Sequence, residues 1–173
     1  MRVLKSVTFA YKTREDRILA AINPGAAEAW SCWLTRRLVL ALLERAAEFL
    51  ASTSTLAQRA PAGVRGEVAA FEREAAIVKT ARSMSHTPAN VISTSATAAE
   101  LAERLTITNQ GETMRLELHG ESGGGAAAVM ARAELQRILQ MLQIEVARAG
   151  WSAAPVKAPA PPAAEASQKP GRH

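Results

Sequence analysis

Apolar and polar residues alternate near both ends of the chain and recur at helical spacing between them. Val3, Val7, Phe9 and Tyr11 occupy alternate positions in residues 3–11, a strand pattern in which Lys5 is the odd member. Thr13-Arg14-Glu15-Asp16 reads as a polar turn, and Arg17–Ile22 as a second strand closed by the turn signal Asn23-Pro24-Gly25. Residues 28–34, with Trp30 and Trp33, predict a third short strand. A helix follows to about Ala51, with Thr35 as its N-cap. Trp30 and Trp33 differ in parity, so a regular strand turns at most one of them into the core.

Residues 52–63 are rich in Ser, Thr, Ala, Pro and Gly and read as a connector. Val64, Val68, Phe71, Ala75 and Val78 recur at intervals of four and three, which predicts a helix over 64–83 with one apolar stripe. Residues 84–96 read as a loop. Thr97-Ala98-Ala99-Glu100 has the spacing of a capping box, so a short helix is expected over 98–104.

A strand pattern then returns. Leu105 and Ile107 alternate with polar residues. Met114, Leu116 and Leu118 alternate with Arg115, Glu117 and His119, the clearest half-buried strand in the chain. Gly120–Gly125 reads as a turn, 126–131 as a third strand, and 132–149 as a helix with Leu135, Ile138, Leu139, Leu142 and Val146 on one face.

Strand, turn, strand, turn, strand, helix thus describes both 3–51 and 104–149. Offsets of 97 or 98 residues superpose the elements. The expected fold is α+β: two βββα-type modules, an internal pseudo-repeat about an approximate two-fold, joined by a helical linker. The boundaries are 1–51, 52–103 and 104–151. The Ala/Pro-rich residues 152–173 are expected to form a disordered tail. One three-stranded module with one helix is too small to stand alone, so the modules should pack together, helix to helix or sheet to sheet.

Composition narrows the function. Of 173 residues, 48% are hydrophobic and 21% charged, which excludes a collagen, a disulfide scaffold and a wholly disordered chain. The net charge of +5 gathers in residues 1–82. Cys32 is the only cysteine and no stretch has the length or apolarity of a leader or a membrane span, so a cytoplasmic protein without membrane contact is expected.

Candidate chemistry is sparse. No Cys/His spacing suits a metal, Ser122-Gly123-Gly124-Gly125 lacks the Lys of a phosphate loop, and no catalytic constellation is visible. No catalytic, cofactor or metal residues are expected, and an enzyme is the less favoured reading. Helix 35–51 is apolar nearly all round, so Leu40 and Leu43 are candidate interface residues. Gln136, Gln140 and Gln143 form a polar ridge beside the apolar face of the last helix. These features favour a non-enzymatic interaction or assembly protein that self-associates, as a dimer or larger homo-oligomer, or binds a protein partner. The alternative is nucleic-acid binding on the basic N-terminal sheet, with Lys12, Arg14, Arg17, Trp30, Arg36 and Arg37 as anion or base contacts.

Overall fold

The computed structural model describes residues 1–81 and 99–151. The expected loop 84–96 and the tail 152–173 lie outside those residues. Strands β1 (Arg2–Val3), β2 (Val7–Lys12), β3 (Arg17–Ile22) and β4 (Trp30–Leu34) lead into α1 (Arg36–Ser52). Helices α2 (Thr55–Arg59) and α3 (Arg65–Ala81) follow, with a 3-10 turn at Ala62–Val64 between them. Then come β5 (Glu100–Gln110), β6 (Thr113–Gly120), β7 (Gly125–Ala131) and α4 (Arg132–Arg148).

The protein is α+β, and its strands form one mixed sheet in the order β1-β7-β6-β5-β4-β3-β2. Neighbours within β2–β4 and within β5–β7 are antiparallel. The two runs meet where β4 and β5 pair in parallel, with Cys32 opposite Glu100 and Trp33 opposite Leu101. The runs therefore join edge to edge rather than face to face.

Parity sets the core. Val7, Phe9 and Tyr11 stand opposite Ile22, Ala20 and Ile18, which stand opposite Trp30, Cys32 and Leu34. In the other run Met114, Leu116 and Leu118 oppose Met130, Ala128 and Ala126. That continuous apolar face packs with Val39, Ala46 and Leu50 of α1 and with Leu135, Leu139, Leu142 and Val146 of α4. Truncating a fully buried member such as Ile18 or Leu135 to alanine costs about 2–5 kcal/mol.

Side chains tie the elements at their ends. Asn23, buried and held at φ +47°, accepts the Lys5 and Ser6 N–H groups on Oδ1 at 2.8 and 3.0 Å and donates to the Val3 carbonyl at 2.7 Å. Asparagine tolerates that left-handed backbone better than most residues. At the open edge of the sheet, the buried Glu145 of α4 accepts the outward Tyr11 N–H at 2.9 Å. Arg148 donates to the other Glu145 oxygen at 2.6 Å. Arg132 reaches back to the end of α1, where Nη1 donates to Thr53 Oγ1 at 2.9 Å and Nη2 to the Leu50 carbonyl. One unsatisfied acceptor of that helix end is thereby filled.

Two expectations need correction. Residues 99–104 are not helical: Glu100–Arg104 open β5, whose two neighbours claim its backbone, and Glu100 serves the adjacent strand and turn rather than a helix start. Nor is 52–63 plain connector. Ser54 caps α2 by accepting the Ala57 N–H at 2.9 Å, and its hydroxyl donates to Glu72 of α3 at 2.5 Å.

Candidate functional site

Helix α1 begins at Thr35, whose hydroxyl accepts the Leu38 N–H at 3.3 Å. That register places Val39, Ala46 and Leu50 in the core. The adjacent side of the helix faces β5 across an open groove of about 700 Å³. Leu38, Ala41, Leu42, Ala46 and Phe49 line the helix wall, and Leu105 and Ile107 line the strand wall. Ala41 and Ala46 are short, and longer side chains there would narrow the space between helix and sheet. Arg45 and Glu48 on α1 and Arg104 and Thr106 on β5 supply the polar lining.

The groove floor is apolar, with Arg45 and the Glu48 carboxylate on the helix wall and Arg104 on the strand wall. Its polar lining, Arg45, Glu48, Ser52, Arg104 and Thr106, includes no Cys, His or Lys. Among the described residues, no three His, Cys, Asp or Glu side chains converge as metal ligands. Nor is any described helix long and apolar enough to cross a membrane. Cys32 is fully buried, and burial together with the neighbouring Glu100 charge pushes its thiol up to about 12. A thiol in that state is inert as a nucleophile.

A second polar cluster lies at the β4–β5 joint. Glu100 Oε1 accepts the Trp30 indole N–H at 2.6 Å. Its Oε2 accepts the Ser122 N–H at 2.8 Å and the Ser122 hydroxyl. The Ser122 hydroxyl, its N–H, the indole and the Arg2 charge hold the carboxyl below its ordinary value, against the opposing effect of burial. A Cβ at Gly120 or Gly124 would overlap the Glu100 side chain and push its carboxyl end out of these hydrogen bonds. Every polar atom of this carboxylate is directed to the protein itself, which makes the cluster a fastener.

The sequence-derived candidates fall in four places. Lys12 and Arg17 are cross-strand partners, and Arg14 lies in the turn that joins their strands. Leu34 pairs with Ile18 at this same end, so the exposed Arg36 and Arg37 that follow it are close by. Trp30 lies at the far end opposite Ile22, buried and bound to Glu100, apart from those cations. Leu40 and Leu43 are half-buried against the core and do not line the groove. Gln136 is buried, Gln140 half-buried and Gln143 exposed, so they do not form one exposed ridge.

Sequence reasoning missed Leu38, Leu42, Phe49, Leu105 and Ile107 as a group. The all-round apolarity of α1 signalled a second buried side. Which side faces β5 depends on tertiary packing. No family model matches the chain, and comparison with curated proteins and with solved structures gives no match either.

Proposed function

We propose that the protein is a non-enzymatic assembly module that binds the apolar ridge of a helix in the α1–β5 groove. The open apolar channel between Leu42 and Phe49 on one side and Leu105 and Ile107 on the other carries this reading. Helix-in-groove binding uses apolar anchors about one turn apart, flanked by charges that match the rim. With Arg45 and Arg104 on the walls, an acidic-flanked helix fits best.

The test is methyl NMR with a synthetic amphipathic helix of leucine, alanine and glutamate. Its addition should shift the methyls of Leu38, Leu42, Leu105 and Ile107 and leave those of Leu135 and Leu142 in place. Unmoved groove methyls at millimolar peptide would sink the reading.

The two βββα runs, β2 to α1 over 7–52 and β5 to α4 over 100–148, support an origin as two copies of one module linked by the α2–α3 segment. A lone buried thiol fits a reducing compartment, and we place the protein in the cytoplasm. A second reading rests on Lys12, Arg14, Arg17, Arg36 and Arg37 gathering at one end of the N-terminal strands. Such a cluster suits the phosphates of a nucleic acid. Binding of single-stranded oligonucleotide that collapses between low and moderate salt, and is lost in Arg17→Ala, would support it. Salt-independent binding, or none, would remove it.

A further inference from the structure

We infer that the helix occupying the α1–β5 groove is α3 of a second copy of this chain, the two chains exchanging α3 ridges about a two-fold axis; this rests on the groove reading above. The first observation is the surface of α3 and of the 3-10 turn that leads into it, to which Val64 belongs. Val64, Phe71 and Val78 stand seven residues apart and are 39%, 72% and 66% exposed. Phe71 is the most exposed large apolar side chain among the described residues. With Val68 and Ala75 between them, the spacing runs four, three, four, three, the seam of a helix that packs along another surface. Yet the body of α3 already packs on α4 and α2 and touches α1, while Val64, Phe71, Ala75 and Val78 face solvent and Val68 is half-buried.

The second observation is dimensional. The seam from Val64 to Val78 covers fourteen steps of chain, as does the groove wall from Leu38 to Ser52, and each is about 21 Å at helical rise. The third is charge. Glu67 and Glu74, both exposed and seven residues apart, flank one side of the seam, and the groove offers two cations, Arg45 and Arg104, against one carboxylate, Glu48. Charge pairs of this kind set orientation and partner choice.

A second copy is favoured because it covers both surfaces at once. A foreign helix in the groove leaves the Phe71 seam in water. Pairing of α3 with α3 leaves the groove open and sets the Glu67–Glu74 flanks of two chains against each other. In a two-fold dimer each contact occurs twice, ridge of one copy in groove of the other. Because α3 touches α1, ridge and groove lie near enough on one molecule for both contacts to form together.

Light scattering of the full chain on a size-exclusion column tests this. The wild type should be a dimer. Phe71→Glu, at an exposed position, should keep its fold and weaken dimerisation about thirtyfold or more, the effect of losing a central aromatic anchor. Leu42→Arg should do the same from the groove side. Since Leu42 is half-buried, the Arg45→Glu/Arg104→Glu pair serves as a second groove variant that spares the apolar floor. A one-to-one mixture of the ridge and groove variants should recover a dimer, weaker than wild type because one contact of two remains intact.

A mixture that stays monomeric overturns the exchange. So does a dimer that survives both groove variants but not Phe71→Glu, which would mean that α3 pairs with itself. A monomeric wild type also overturns it. Peptide-induced shifts in the groove methyls of the Phe71→Glu monomer would then leave the groove reading standing. Their absence would remove both.

Discussion

The indole of Trp30 donates to the carboxylate of Glu100 at 2.6 Å, across the line where β4 and β5 run parallel. Seventy residues separate the partners in sequence. Among the described residues two pairs align at this joint, so the side-chain bond and the Ser122 contacts reinforce a short stretch of ladder. Glu100→Gln and Trp30→Phe should each lower stability by about 1–3 kcal/mol, the cost of leaving a partly buried polar partner unmatched. Each kcal/mol corresponds to about 2–4 °C in melting temperature for a chain of this size. Calorimetry checks the shift.

The same carboxylate predicts a pH effect. Its folded pKa lies below the ordinary value of 4.5, so the stabilisation is fully present above that pH. It is lost as pH falls through the folded pKa. Denaturant midpoints measured from pH 6 down to pH 3 should fall less steeply in Glu100→Gln than in wild type. Parallel curves would show that this group carries no acid sensitivity.

Gly120→Ala and Gly124→Ala should destabilise the turn through overlap with Glu100, by about 1–3 kcal/mol for overpacking. In a Glu100→Ala background the Gly124→Ala change should cost distinctly less, because the overlapping atoms are gone. A double-mutant cycle in urea measures the difference.

Cys32 should resist alkylation in the native protein at pH 8 and react on unfolding, since burial keeps it a thiol. A Ser52→Cys variant should label at once, and its fluorophore at the groove end should change emission on dimerisation or peptide binding. Rapid native labelling of the wild type would show that β4 opens readily.

Arg132→Met should loosen the end of α1, because the guanidinium that reaches Thr53 and the Leu50 carbonyl is removed. We expect a loss of about 1–3 kcal/mol. Faster hydrogen exchange should concentrate in the last turn of α1. A uniform change across the chain would indicate a global effect instead.

Where neighbours in sequence decide the structure, the chain could be read directly. The alternation at Met114, Leu116 and Leu118 appears as β6, and Arg17–Ile22 as β3. Thr35 caps α1, and of the two tryptophans of opposite parity Trp30 faces the core. Local signals failed where distant contacts outweighed them. Glu100 stands where a capping glutamate belongs, yet Trp30 and Ser122 engage its carboxylate within a strand. Ser54 could have been read as an N-cap, but the helix behind it is only five residues long and is braced by Glu72 of α3. Leu38, Leu40, Leu42 and Leu43 are equally apolar and all pack partly against the core, and only the rotation of α1 against β5 decides that Leu38 and Leu42 also line the groove.

The contact between Glu145 and the Tyr11 amide bears on how copies of this chain can come together. A sheet offers neighbours the bare hydrogen-bonding groups of its outermost strands, and unguarded ones recruit further strands without limit. Here one border is guarded by a carboxylate from α4, and the other is a strand of two residues. A strand adding to β2 would have to displace that carboxylate from the Tyr11 amide, and one adding to β1 would find only two residues to pair with. Extension of the sheet from molecule to molecule therefore meets an obstacle at each border.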